Sequence, residues 1–275
     1  MNGAESLLRS LVNSGVETCF ANPGTSEMHF VAALDRVNGM RAVLGLFEGV
    51  VTGMADGYAR MAEKPPVTLL HLGPGLANGL ANLHNARRAS SPIVNVVGDH
   101  ATYHAQFDAP LASDIVGFAR PVSAWVHSST SALTVGADAA RAVQVARQAP
   151  GQIATLILPA DVAWLEANSA AEALPVVEAS QVADSTISDI AQTLRKAQST
   201  GARVAILMRG APLRGEGLQA AGKIAAATGA RLLCDTFAPR LERGAHRVVV
   251  ERLPYFAEQL VDSLASVDHL ILVGA

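Results

Sequence analysis

Short apolar segments alternate with helix-forming segments along this chain, and no other feature restricts its fold as strongly. Residues 16–20, 42–46, 67–71, 93–97 and 152–158 form the apolar segments of the first half. Most are apolar almost throughout, which is typical of strands buried on both faces of a sheet. Helical patterns fill the stretches between them. The alternation therefore predicts an α/β fold with a doubly wound parallel sheet, covered by helices on both faces.

A second series of the same kind begins near residue 187. The segment 166–185 before it contains Ala, Glu and Ser around Pro175, without clear periodicity. Such a composition is typical of a linker. We therefore predict a first domain over residues 1–165, a linker over 166–185 and a second doubly wound domain over 186–275. The last predicted strand, 269–273, resembles an interior strand, so we expect the second domain to be truncated here and the protein to continue past Ala275.

Composition excludes several functional classes. Only 16% of the residues are charged, the net charge is −3 and 4% are aromatic, so neither a basic stripe nor a stacking platform for nucleic acid is expected. Cys19 and Cys234 lie in apolar stretches and are predicted to be buried thiols. Neither a signal peptide nor a membrane helix is evident, which predicts a soluble, cytoplasmic protein without a membrane partner.

Polar groups follow three consecutive strands of the first predicted sheet. Thr25 follows the first strand, Glu48 the second and His71 the third. Because the carboxyl ends of parallel strands lie at one edge, we expect these groups to converge there. Glu48 is the only charge in the run 45–55. A carboxylate in apolar company needs a partner, because burying it unpaired is costly.

One interpretation of this edge is a dinucleotide site. Gly73-Pro74-Gly75-Leu76-Ala77-Asn78-Gly79 has the pattern GxGxxxG between a strand and a helix, and Asp99 ends the next strand. An NAD(P)-dependent oxidoreductase would use both. Short glycine motifs are common, however, and this alternative leaves Glu48 without a role.

A second interpretation uses all three loops. Its motifs are Gly45-Leu46-Phe47-Glu48-Gly49, Ala55-Asp56-Gly57-Tyr58-Ala59-Arg60, Phe20-Ala21-Asn22-Pro23-Gly24-Thr25, His71-Leu72-Gly73-Pro74-Gly75 and Asp114-Ile115-Val116-Gly117. Together they resemble the N-terminal, pyrimidine-binding domain of thiamine-diphosphate-dependent enzymes such as acetolactate synthase, benzoylformate decarboxylase and pyruvate oxidase. Residues 185–275 are similar to the central domain of the same enzymes, so the resemblance extends over the whole chain.

The resemblance implies a role for each candidate residue. The glutamate at the position of Glu48 hydrogen-bonds N1′ of the aminopyrimidine ring and so activates the cofactor. His71 and Thr25 would face a 2-oxo acid substrate. The residues expected to shape the cofactor pocket are Pro23, Gly24, Gly73, Pro74, Gly75 and Asn78. The residues alone leave other roles open: a solvated helix-terminal acid for Glu48, a structural histidine for His71 and a helix cap for Thr25.

Two departures concern the reaction. A histidine at the position of His71, together with Asn22-Pro23-Gly24-Thr25, is closer to benzoylformate decarboxylase than to the synthases. Pro110 and Leu111 replace the Phe and Gln that face the substrate in acetolactate synthases. Decarboxylation and synthesis therefore both remain open. We expect no metal site among His100, Tyr103, His104 and Gln106, because acidic and cysteine partners at ligand spacing are missing.

The family holds the cofactor's diphosphate and Mg²⁺ with a Gly-Asp-Gly…Asn motif that is not found in these 275 residues. The resemblance therefore implies thiamine diphosphate with Mg²⁺, its diphosphate end held outside this chain, and a homodimer or homotetramer. The isolated chain is expected to be inactive. FAD is not expected, because residues 208–213 lack the glycine cluster of the flavin-binding relatives. A non-catalytic relative that serves subunit assembly is a further alternative.

Overall fold

The computed structural model describes residues 1–177 and 179–275. Its contacts divide the chain into two compact units, Met1–Ala179 and Ser180–Ala275. The boundary between the two units falls within the predicted linker, residues 166–185. The predicted domain limits themselves stay a prediction. Position 178 of that linker lies outside the described residues.

The first unit is built on one parallel sheet. Its strands are β1 (Thr18–Asn22), β2 (Arg41–Leu44), β3 (Val67–Leu70), β4 (Ile93–Asp99), β5 (Trp125–Ser128) and β6 (Ile153–Pro159), in the order β2-β1-β3-β4-β6-β5. Every pairing between them is parallel. The predicted α/β class is confirmed.

Helices cover both faces of this sheet. They are α1 (Gly3–Asn13), α2 (Met28–Leu34), α3 (Glu48–Ala62), α4 (Leu72–Arg88), α5 (Ile115–Ala119), α6 (Val135–Arg147) and α7 (Ala160–Trp164). Val94 and Val96 of β4 belong to a core with α1 and α6, whereas Ile93 and Val97 belong to a second core with α3 and α4. Successive side chains of a strand point to opposite faces, so an apolar strand supplies two cores. Cys19 lies in the first core, where burial raises the pKa of its thiol to about 12.

The second unit is smaller and also parallel. It contains α8 (Asp184–Thr200), β7 (Val204–Met208), α9 (Gly215–Thr228), β8 (Arg231–Cys234), β9 (Glu251–Arg252), α10 (Ala257–Leu264) and β10 (His269–Val273). The strand order is β10-β7-β8-β9. Within the described residues, β10 lies at the edge of this sheet beside β7, and its Leu272 is 57% exposed. That 269–273 is an interior-type strand of a truncated domain stays a prediction. Its apolar pattern does not reveal how many neighbours it has.

Other differences from the sequence-based expectations are local. Between the predicted strands 93–97 and 152–158, the structure contains α5 and also the edge strand β5, which is not among the predicted apolar segments. Helix α4 begins at Leu72, after the N-cap residue His71, and Leu72 lies in the left-handed region at φ 53°. Residues 166–177 run along the first unit, where the Ala171 N–H donates to Ser10 Oγ at 2.9 Å. In the part of the chain that the structure describes, no helix has the length and apolarity to span a membrane.

Candidate active site at the sheet switch point

The chain reverses its winding direction between β1 and β3. From β1 it crosses to β2 on one side, and from β3 it continues to β4 on the other. In open parallel sheets the crevice at such a switch point is the usual ligand site. Thr25, Glu48 and His71 follow β1, β2 and β3, as predicted from the sequence.

Glu48 is the first residue of α3. Asn78 Nδ2 of α4 donates a hydrogen bond to Glu48 Oε2 at 3.0 Å. The positive end of the α3 dipole also favours a carboxylate here. Within residues 1–177 and 179–275, Glu48 Oε1 has no hydrogen-bond partner. One oxygen is therefore held by the protein and the other is available to a ligand.

Gly75 keeps the space beside this free oxygen open. A Cβ at Gly75 would lie 3.3 Å from Glu48 Oε1 and 3.4 Å from the His71 Cβ. A larger side chain here would fill the gap between the carboxylate and the β3 loop. Gly75 thus lies near both Glu48 and His71 without a side chain that would cover either group.

The surroundings of Glu48 are less enclosed than its apolar neighbours in the sequence suggest. Leu46 is 91% exposed and Phe47 49% exposed, and Glu48 itself is half-buried. Val50, in the first turn of α3, is also 51% exposed. In this chain, Glu48 therefore lies at the rim of the crevice rather than in an apolar pocket.

His71 contacts a residue that the sequence reasoning missed. Glu27 Oε2 lies 2.7 Å from His71 Nδ1 and also accepts the Gly24 N–H at 2.7 Å. Gly24 has to be small, since a Cβ there would lie 2.3 Å from the imidazole ring. Glu27 stands three residues after Gly24 at the start of a helical turn, the spacing of a capping box, and that spacing was the available signal.

Thr25 and Pro23 lie on the same loop as Gly24. Thr25 is exposed and begins a short 3₁₀ turn, Thr25–Glu27, whose cap makes no side-chain hydrogen bond. The alternative role of Thr25 as a helix cap is therefore wrong. Instead, Glu27 closes the turn through the Gly24 N–H.

The glycines of the GxGxxxG pattern lie inside α4, not in a loop. A Cβ at Gly79 would lie 2.8 Å from Thr52 Cγ2 of α3, and a Cβ at Gly73 would lie 2.2 Å from Ser113 Cβ. Both glycines permit close packing. Asp99, the other part of the dinucleotide alternative, is half-buried, and burial raises the pKa of its carboxyl. The oxidoreductase alternative remains unconfirmed.

His100, Tyr103, His104 and Gln106 lie on the loop after β4. The rings of His100 and His104 lie 5.6 Å apart. Among the described residues, no group of three or more His, Cys, Asp or Glu side chains is placed to hold a metal ion. The candidate site therefore consists of Gly24, Glu27, Glu48, His71, Gly75 and Asn78, with Pro23, Thr25, Gly73 and Pro74 in the adjoining loop and helical turn.

Residues 1–118 match the profile of the family described as thiamine pyrophosphate enzyme, N-terminal TPP binding domain. The matched range includes every candidate residue at the switch point. Thiamine pyrophosphate is another name for thiamine diphosphate, so the resemblance found in the sequence is confirmed.

Relatives extend the similarity beyond the thiamine-diphosphate domain. A Mycobacterium tuberculosis (strain H37Rv) protein named putative acetolactate synthase large subunit IlvX is 56% identical over 275 residues, which cover 100% of this chain and 52% of that protein. Benzoylformate decarboxylase of Pseudomonas aeruginosa is 34% identical over 148 residues, 54% of this chain and 28% of the enzyme. The chain thus spans about half the length of the first relative.

A solved structure shares the fold. The thiamine diphosphate-dependent 4-hydroxybenzoylformate decarboxylase of Rhodococcus jostii RHA1 superposes with a TM-score of 0.83 at 24% identity, covering 99% of this chain and 51% of that one. At this identity the match shows the fold alone.

Proposed function

We propose that this chain supplies the pyrimidine-binding half of an enzyme that uses thiamine diphosphate to cleave or form a carbon–carbon bond next to the carbonyl of a 2-oxo acid. The observation that carries the proposal is the half-satisfied carboxylate of Glu48. Its Oε2 is held by Asn78, and its Oε1 faces the crevice beside Gly75.

The residues present fit the cofactor's pyrimidine end. An aminopyrimidine needs a carboxylate at one ring nitrogen and a flat surface without side chains beside it. Glu48 provides the first, and the space that a Cβ at Gly75 would fill provides the second. Pro23, Gly24, Gly73, Pro74 and Asn78 would shape the remaining walls. When bound, thiamine diphosphate supplies an electron sink for bond cleavage beside a carbonyl.

Glu48 has the chemistry to hold a proton at Oε1. Asn78 fixes the orientation of the carboxylate through Oε2, so Oε1 can share a proton with a ring nitrogen without a rotation of the side chain. The backbone of α3 positions Glu48 in its first turn, where Thr52 Oγ1 also lies 3.1 Å from the carbonyl oxygen of Glu48. The carboxylate is therefore placed before a ligand arrives.

Thr25 and His71 are proposed to face the substrate. His71 is 23% exposed, which leaves its ring accessible from the crevice. A neutral or charged imidazole there can donate to or accept from a carboxylate or carbonyl oxygen. Pro110 and Leu111 lie exposed on the loop after β4 and offer no polar side chain to a second substrate. These features favour decarboxylation over synthesis.

The diphosphate and Mg²⁺ are proposed to bind to a part of the protein outside these 275 residues, from the same or a second subunit of a homodimer or homotetramer. No FAD, nucleic acid or membrane partner is proposed, and the location is proposed to be cytoplasmic. The isolated chain would then be inactive.

Substitution of Glu48 tests the proposed cofactor role. In the complete protein loaded with thiamine diphosphate, we expect Glu48→Gln to slow exchange of the cofactor's C2 hydrogen at least about 100-fold, because general acid–base groups contribute about 10²–10⁴-fold. Exchange is followed by proton NMR after quenching. Glu216→Gln is the matched control, since Glu216 lies in the first turn of α9 as Glu48 does in α3. Exchange at the unsubstituted rate in Glu48→Gln would remove Glu48 from this role.

Calorimetry tests the half-site. We expect the 275-residue chain alone to bind thiamine diphosphate more weakly than micromolar, because the proposed groups contact only the pyrimidine end. The titration is made with Mg²⁺ present. Micromolar binding to this chain would contradict the proposal that the diphosphate is held elsewhere.

A further inference from the structure

Glu27 is a buried carboxylate that lies beside the imidazole of His71. Its side chain is 0% exposed, whereas that of His71 is 23% exposed. It lies above three neighbouring strand ends, because it contacts Gly24 after β1, His71 after β3 and Gly98 in β4. A carboxylate taken out of water at this position must be compensated by the groups it touches.

The two oxygens of Glu27 have different environments. Oε2 receives the Gly24 N–H at 2.7 Å and lies 2.7 Å from His71 Nδ1. Oε1 is buried and has no hydrogen-bond partner among the described residues. Gly98 allows it to approach the backbone of β4, since a Cβ there would lie 1.6 Å from Oε1.

This asymmetry determines the direction of the contact with His71. The Gly24 N–H is a fixed donor, so Oε2 acts as an acceptor. His71 Nδ1 must then donate, because a proton placed on Oε2 would weaken the bond from Gly24. In a neutral histidine with its proton on Nδ1, Nε2 carries the lone pair. Within residues 1–177 and 179–275, Nε2 forms no hydrogen bond.

We propose that Glu27 is a positioning residue that fixes the tautomer and the orientation of His71, so that its Nε2 is presented as a proton acceptor. Gly24 supports the same arrangement by packing against the Nδ1–Cε1 edge of the ring. A buried carboxylate that orients a reactive imidazole is a general device. The use of Nε2 as a proton acceptor toward a substrate rests on the proposed function, whereas the tautomer of His71 does not depend on it.

The tautomer is measured on the 275-residue chain without cofactor. The chain is labelled with ¹⁵N-histidine, and long-range proton–nitrogen spectra are recorded at a pH where the rings are neutral. His71 is identified by the signal that His71→Gln removes. We expect a pyrrole-type Nδ1 and a pyridine-type Nε2 in the unsubstituted chain. A pyridine-type Nδ1 would overturn the proposal.

Variants of Glu27 separate hydrogen bonding from packing. Glu27→Gln should retain the tautomer, because its amide oxygen can occupy the position of Oε2. Glu27→Met has a similar shape but no acceptor there, so the Nε2–H form should become the majority. If Glu27→Met keeps Nδ1 protonated, the proposal is wrong. If circular dichroism shows that Glu27→Met does not fold, Glu27→Asp replaces it. The aspartate carboxylate lies one methylene farther from His71, so we expect a mixture of the two His71 tautomers.

His127 is an internal control in the same spectra. Its Nε2 lies 3.3 Å from Asp138 Oδ1, so the opposite tautomer is expected, and it should not change in any Glu27 variant. The measurement requires neither thiamine diphosphate nor turnover. A failure of the Glu48→Gln test with the expected His71 spectrum would therefore overturn the proposed function alone.

Discussion

Asp99 ends β4 beside His100 and is only partly accessible to solvent. Burial raises the pKa of its carboxyl above the ordinary value of 3.8, and the His100 N–H, which donates to Oδ1 at 2.7 Å, opposes this shift. A group whose pKa is raised on folding favours the folded state at low pH, and this contribution is lost as the pH rises through its folded pKa. The ionised form therefore destabilises the folded chain at neutral pH.

We predict that Asp99→Asn increases the free energy of unfolding at about pH 7 and leaves it unchanged at about pH 3, where the aspartate is already protonated. The asparagine oxygen can still accept the His100 N–H. Urea unfolding at both pH values measures the difference. Asp108→Asn, on the exposed loop, is the control. An Asp99→Asn chain with unchanged stability at neutral pH would contradict the assigned effect of burial.

Single residues were predictable from the sequence where a local motif contains them. Glu48, His71 and Gly75 each follow a recognisable strand, and the topology brings them to one edge. Glu27 was not predicted, because its contacts join the ends of β1, β3 and β4, which are distant in sequence. The exposure of Leu46 and Phe47 was missed for a similar reason: an apolar run does not show what covers it.

Helices α3 and α4 carry Glu48 and Asn78, so their packing sets the geometry of the carboxylate. They approach closely where Gly79 of α4 lies against Thr52 of α3. Thr52 Oγ1 donates to the Gly79 carbonyl at 3.1 Å, and Asn82 Nδ2 donates to the Gly49 carbonyl at 2.6 Å. The site thus depends on one tightly packed helix pair.

Gly79→Ala is predicted to decrease the free energy of unfolding by about 1–3 kcal/mol, the usual cost of overpacking. The new Cβ would lie 2.8 Å from Thr52 Cγ2, and this outweighs the gain in helix propensity of up to about 1 kcal/mol. Urea unfolding of the Gly79→Ala and unsubstituted chains measures this decrease. Gly57→Ala, in open space on α3, is the control and should be neutral or stabilising.

Thr52→Ser tests whether contact with Thr52 Cγ2 causes the loss of stability in Gly79→Ala. Serine keeps the hydroxyl but removes Cγ2, so the double variant should lose less stability than the sum of the two single variants, by about 0.5–3 kcal/mol. Strictly additive losses would show that Thr52 Cγ2 is not the obstacle.

Element types were predictable for long, apolar segments with clear periodicity and less so at the edges of the sheets. The helices α1 and α3 and the central strands β3 and β4 have one dominant pattern each. Strand β5 was missed, because its sequence Trp125-Val126-His127-Ser128 is half-exposed and short. The start of α4 at Leu72 is not predictable from the sequence, because a positive φ is not expected of a leucine.

At the scale of the whole molecule, the chain contains separate hydrophobic cores. Among the described residues, two cores flank the six-stranded sheet of the first unit, and a third core, which contains Leu194, Met208 and Leu232, belongs to the second unit. The sequence predicted the division through its change of composition near Pro175. It could not predict that residues 166–177 would run along the first unit, because the contacts of that segment with α1 are long-range.

The two tryptophans allow the units to be followed separately, since Trp125 and Trp164 both lie in the first. We predict that residues 1–179 alone unfold in urea with the same tryptophan-fluorescence transition as the whole chain, to within about 0.5 kcal/mol, because a unit with its own core can fold independently. Far-UV circular dichroism of the whole chain would also report the second unit. A chain truncated after residue 165 is the comparison. It lacks the Ser169 carbonyl that accepts the Ser6 hydroxyl at 2.7 Å and the Ala171 N–H that donates to Ser10. Its unfolding transition should therefore occur at a lower urea concentration than that of residues 1–179. A fluorescence transition that is lost or shifted in the 1–179 chain would show that the first unit depends on the second for its stability.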